Sequence, residues 1–176
     1  MAPTEKKQIW FWSSNESGPM PIRTRLMAGS QGIAIPGSPL ETNASGVMEL
    51  SDTDDIVLYG FFAGVVDMST TWPITAELTA NDKIRVAVAR RGDIFGVYCD
   101  SGGTDSAVAQ ANVGNAYAVT VSASAGEFGY TTCDIGDATG TLFTVVNIAS
   151  NVEPALYTTS DNPGVALVRI SGTLQG

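Results

Sequence analysis

The chain has 176 residues, enough for one domain with an appendage, and is 44% apolar but only 15% charged. Its net charge of −9 is unevenly spread. Residues 1–40 set Lys6, Lys7, Arg23 and Arg25 against Glu5 and Glu16, a net +2; residues 41–176 set five basic residues against sixteen acidic ones, a net −11. That excludes direct nucleic-acid binding by the body, which would need clustered Lys and Arg on phosphate.

Along the chain, residues 1–30 read as an extended arm. Pro3, Gly18, Pro19 and Pro21 exclude a long helix, and no period of 2 is sustained. Within it Trp10 and Trp12 flank Phe11, an apolar cluster on a segment that cannot build its own core. Residues 29–46 read as a linker, with Ile33 and Ile35 able to form a short edge strand before Pro36. The expected division is 1–45 for arm and linker and 46–176 for a β-barrel domain. The body then shows short strands with turn punctuation, the pattern of a sandwich or barrel. They are expected at 47–50, 56–66, 84–89, 94–99, 117–121, 127–134, 141–149 and 165–171. The turn Arg90-Arg91-Gly92-Asp93 reads as a hairpin between two of them. Residues 105–111 suit two helical turns with Thr104 or Asp105 as N-cap, and Trp72 is expected to cover a barrel end. The fold class is all-β: a small barrel of seven or eight strands with one short helix, behind the extended arm.

The chemistry of sites narrows by elimination. A Ser or Cys nucleophile normally needs a base, most often His, and there is no His; the three lysines are Lys6, Lys7 and Lys83. Glu49, Glu77, Glu127 and Glu153 lie on or beside turns, and nothing in their spacing puts two into one cleft. Asp52, Asp54 and Asp55, and again Asp134 and Asp137, offer oxygen ligands but no twelve-residue calcium loop; Asp and Gly are also what turns require. Arg91-Gly92-Asp93 matches an integrin-recognition tripeptide but sits where a turn needs Gly and Asp. Ser101-Gly-Gly-Thr104 could cradle phosphate through its N–H groups, yet lacks the Lys of a P-loop. Cys99 and Cys133 allow one bridge and no framework, and buried thiols are expected. The longest apolar run, 56–66, is about half a membrane span. Neither cofactor, metal nor membrane contact is expected, and the protein reads as non-enzymatic.

What remains is the arm. Trp and Arg are typical interface anchors, and Arg23 and Arg25 occupy alternate positions of an extended segment, so both can reach one acidic surface. Trp10, Phe11, Trp12, Arg23 and Arg25 are therefore the expected binding residues, docking on another chain. The competing reading folds the arm back over the body's own sheet.

The run Val113-Gly-Asn-Ala-Tyr117-Ala-Val119, then a hairpin, then an aromatic-containing strand ending in Cys133-Asp134, has a familiar order. With Gly136-Asp-Ala-Thr-Gly140 and the strand 141–148 behind it, it resembles the head decoration (cement) proteins of tailed bacteriophages. The likeness covers residues 56–171. One strand departs: where that family reads W-Y-V-D, this chain has Glu127-Phe-Gly-Tyr-Thr-Thr-Cys133-Asp134. The resemblance implies a small β-barrel, commonly a homotrimer, made in the host cytoplasm and carried on the outer surface of the virion's capsid. There it would clamp major capsid protein subunits. A receptor- or glycan-binding module would instead expose an aromatic-lined groove on the body. A carboxylate-dependent cell-wall hydrolase would depend on Glu127 or Glu49, and a tail or head-completion protein is a near neighbour of the first reading.

Overall fold

The computed structural model describes residues 9–14, 18–29, 36–52, 56–66, 80–121, 131–161 and 163–175. Along the chain come β1 (Trp10–Ser14), β2 (Ile22–Leu26), β3 (Pro39–Thr42), β4 (Met48–Leu50), β5 (Val57–Leu58), β6 (Gly60–Val65) and β7 (Lys83–Val88). After them come β8 (Asp93–Ser101), β9 (Thr104–Asp105), β10 (Ala116–Val121), β11 (Thr131–Asp134), β12 (Phe143–Ile148), one helical turn α1 (Ala149–Val152), β13 (Val165–Ile170) and β14 (Thr173–Leu174). The molecule is all-β and contains a closed small barrel, as its strand punctuation implied.

The barrel is a ring of five strands, β8-β11-β10-β12-β13, closed where β13 returns to β8 over Val165↔Tyr98 through Arg169↔Ile94. Strand alternation fills it. Phe95, Val97 and Cys99 of β8 point inward, as do Tyr117 and Val119 of β10, Phe143 and Val145 of β12, and Ala166, Val168 and Ile170 of β13. A bulge between Val145 and Asn147 shifts the register so that Ile148 also turns inward. Cys99 and Cys133 are register neighbours on the parallel pair β8–β11; both are buried and free. The Cys99 side chain beside it, together with burial, pushes the Cys133 thiol well above its ordinary pKa, so the Cys133 sulfur sits in the core as a neutral packing group.

A second sheet runs β2-β7-β6-β3-β4, and its ends meet at a single bridge, Met27↔Met48, with the Ala28 N–H donating to Met48 O at 2.7 Å. It is a second, smaller ring around Met27, Leu40, Met48, Tyr59, Phe62, Ile84 and Val86. The two rings are welded by Phe61, which leaves the second sheet to pack on Phe95 with ring centroids 4.7 Å apart. β5 and β14 pair in parallel beside them.

Several expectations change. The N-terminal segment is extended but does not stand apart: β1 lies on β8 of the first ring and β2 on β7 of the second. A boundary at 45/46 falls within the turn of the β3–β4 hairpin, which pairs Leu40↔Leu50 and Thr42↔Met48 across it. The strand expected over 56–66 divides at Tyr59, whose two halves join different sheets. The turn 90–93 is not a hairpin, because β7 and β8 belong to different sheets and each has both edges occupied. It is a corner, clasped by buried Asp93, which takes the Arg90 guanidinium at 2.9 Å, its backbone N–H at 3.2 Å and the Ser14 hydroxyl at 2.5 Å. In place of a helix over 105–111 there is β9 and one 3-10 turn, Gln110–Asn112, closed by the Asn112 side chain accepting from Ala109 N–H at 2.9 Å. Trp72 and residues 127–130 lie outside the described residues.

Candidate docking surface

The surface that stands out is the outer face of the first ring where β1 crosses it. Trp10 is paired with Gly96, and that glycine is the local cause of the arrangement: a Cβ there would lie 2.3 Å from the indole. The bare backbone lets the indole lie down on β8, where it meets Tyr98 with centroids 5.5 Å apart. A bulge between Phe11 and Ser13 re-aims the chain at Trp12, whose ring approaches Tyr157 at 6.1 Å. Beneath them Ala149, Val165 and Leu167 are buried, with Ile94 and Val146 partly so.

Tyr157 is held by its own loop. Its N–H donates to Glu153 O at 3.1 Å, and the next turn closes through Asp161, which accepts from the Thr158 N–H and hydroxyl, both at 2.7 Å. Those two donations, the backbone one first, hold the Asp161 carboxyl below its ordinary pKa. At the other end, β1 is tied down by Ser14 on Asp93 and by Arg90 reaching Gly18 O at 3.2 Å. The result is a row of half-buried rings, Trp10, Trp12, Tyr98 and Tyr157, fixed on a rigid sheet. Leu156, 73% exposed, and Val152, 46% exposed, adjoin it along the chain.

Arg169 shares this outer face, paired with Ile94 on β8 and next but one to Leu167 on β13. Its Nε is buried and has no hydrogen-bond partner. A desolvated guanidinium N–H without an acceptor is costly.

Of the five residues expected to bind, the structure puts Trp10 and Trp12 on this face. Phe11 points the other way, 42% exposed at the rim and edge-on to Phe95 at 6.3 Å. Arg23 and Arg25 sit on β2 in the other sheet, turned to the side of Val86 and Ile84. Tyr98, Tyr157 and Arg169 were not anticipated. Tyr98 and Arg169 had a readable signal, as the outward members of alternating strands.

The remaining candidates dissolve into turn chemistry. Asp93 of the integrin-like tripeptide is buried beneath Arg90. The N–H groups of Gly102 and Gly103 already donate to Asp134 and Asp100, so this loop offers no free cradle for phosphate. Glu49 pairs with Glu41 on the outward side of the β3–β4 hairpin, opposite to the core residue Leu40. Among the described residues no three carboxylates or thiols converge as a metal site would require. No family model, curated protein or solved structure matches this chain.

Proposed function

We propose that this protein is a capsid decoration (cement) protein that binds the outside of an assembled phage head, as a homotrimer, and stabilises contacts between major capsid subunits. The observation that carries the reading is the pinned aromatic row of Trp10, Trp12, Tyr98 and Tyr157 beside the unpartnered Nε of Arg169. Rigid aromatics beside an arginine are what interface hot spots are made of. Burying one such ring removes on the order of 150–250 Å² from water. Many copies on one shell combine weak contacts by avidity, and the bound lattice is stabilised by mass action. The resemblance of residues 56–171 to the decoration family supports the same reading.

The test is co-sedimentation with expanded, undecorated capsids. Deleting residues 1–30 is unsuitable, because it removes two strands and the core residues Ile9 and Met27. Trp12→Ala and Tyr157→Ala keep the sheet. Each is expected to weaken binding at least about thirtyfold, as a hot-spot loss of about 2 kcal/mol would. Saturable binding that both variants retain would sink the assignment of the face. Absence of binding by the intact chain would sink the decoration role.

A second reading has one observation in its favour. A receptor- or glycan-binding module needs aromatics displayed on the body, and that is where β1 lays Trp10 and Trp12. A glycan array read with and without Trp12→Ala separates the two.

A further inference from the structure

The second ring opens into a cavity of about 750 Å³, lined by Arg25, Thr42, Asn43, Gly46, Met48, Tyr59 and Gln175. This volume is in the range of small-molecule sites. The lining is unusual for this chain: the net charge is −9, yet none of the described residues that border the cavity is acidic.

Arg25 is held in place but not neutralised. Its guanidinium carbon stands 5.1 Å from the centroid of the Tyr59 ring, one Nη donates to the Tyr59 hydroxyl, and the other donates to Thr24 O at 3.2 Å. All of these partners are neutral, and among the described residues no carboxylate pairs with it. Orientation without charge compensation leaves the planar fork ready for a bidentate acceptor.

The other polar groups are donors held at fixed angles. Gln175 clamps the edge of β3, accepting from Thr42 N–H at 2.6 Å and donating to Thr42 O at 3.2 Å, which spends one of its two amide protons. Asn43 uses its carbonyl oxygen on Ser45 and Val47 N–H, at 2.9 and 3.4 Å, and so keeps its amide protons. Thr42 adds a hydroxyl-bearing residue to the same lining. Amide and hydroxyl groups beside a free arginine suit a ligand with one carboxylate and several hydroxyls.

We propose that this cavity binds an acidic saccharide of the uronic-acid class. The sugar carboxylate pairs with Arg25, and its hydroxyls meet Asn43, Thr42 and Gln175. The site is separate from the aromatic face and does not depend on the decoration role. The preference over an acidic peptide rests on the amide-rich rim, which matches hydroxyl groups that a Glu or Asp side chain lacks.

The test is titration of the full chain with a glucuronate-containing disaccharide, its neutral glucose counterpart and an acetylated Glu-Glu peptide, by calorimetry and by amide shift mapping. Saturable binding of the acidic sugar is expected, at least tenfold tighter than either control, with the leading shifts at Gly46, Tyr59 and Gln175. Arg25→Lys should weaken it about tenfold by losing the fork, and Arg25→Gln should abolish it. Equal binding of the neutral sugar, tighter binding of the peptide, no binding at all, or shifts centred on Trp10 and Trp12 would each overturn the proposal. Shift mapping on the intact protein decides the question even if the Arg25 variants do not fold.

Discussion

The two rings have the same number of strands and differ in how they close. The first closes on a continuous ladder of five register pairs between β13 and β8, around eighteen buried side chains among the described residues. Among the described residues the second closes on one bridge and one hydrogen bond, around seven. A ladder couples its strands along their length, whereas a single bridge leaves a seam. The first ring accordingly carries its aromatics on a fixed outer wall, and the second has a polar cavity at its mouth. Two of the seven core residues of the second ring, Met27 and Met48, form the seam itself. An unbranched thioether fills such an irregular joint better than a branched side chain would.

The largest expected effect tests whether the rings are one folding unit. Phe95 is 1% exposed and touches both Phe61 from the second sheet and Phe11 from β1. Phe95→Ala is expected to cost about 3–5 kcal/mol. Because Phe61 ties the sheets together, urea unfolding followed by tryptophan emission and by far-ultraviolet circular dichroism should remain one coincident transition at a lower midpoint. Two separated transitions would show the rings to be independent and break the comparison at its root.

The seam is the next test. Met48→Ala removes a side chain that is 1% exposed and is expected to cost about 2 kcal/mol, the low end for Met in a core, because a loosely closed ring can collapse into the gap. Amide exchange should rise in β2, β4 and the Met27–Ala28 segment while β8 and β13 stay protected. Loss of protection across β8–β13 as well would mean that the second ring is no weaker than the first.

Much of the first ring was legible in the sequence because its signal is local. β8, β10, β12 and β13 fall within a residue or two of the expected strands, since alternation of Phe, Val and Ile with smaller or polar residues defines them without reference to the rest of the chain. The arm was not legible for the converse reason. Whether Trp10 docks on another chain or on its own is decided by Gly96, 86 positions away, and glycine in a strand announces a close approach without saying of what. The corner at 90–93 shows the same limit. Its residues fit a hairpin turn, and only the occupied edges of β7 and β8 rule one out. Arg25 was picked out as a cation free to bind, but its place above Tyr59 depends on the pairing of β2 with β7.

Gly96 turns that argument into a smaller prediction. Gly96→Ala puts a methyl where the Trp10 indole lies, and the indole is too broad to swing aside without lifting β1. Overpacking of this kind is expected to cost about 1–3 kcal/mol, with a red shift of tryptophan emission and weaker capsid binding. The second ring and its sugar titration should be untouched. An unshifted emission spectrum would mean that the indole has room the geometry denies it.

The smallest effect concerns acid. Asp137, in the turn between β11 and β12, accepts from the Thr139 hydroxyl at 2.6 Å and the Thr139 N–H at 2.7 Å, and these bonds hold its carboxyl below the ordinary value. Asp161 is lowered in the same way by Thr158. Both turns belong to the chain of the first ring. A depressed carboxyl favours the folded state at pH above the unfolded value of about 3.9, and that contribution disappears as pH falls through the lower folded value. Both groups are fully solvated, so the effect is small and sensitive to salt. Stability measured from pH 6 down to pH 2 should therefore fall less steeply in Asp137→Asn, Asp161→Asn protein than in the parent. If the two curves run parallel, these turns are merely tidy loops, and their hydrogen bonds add nothing to the pH dependence of the fold.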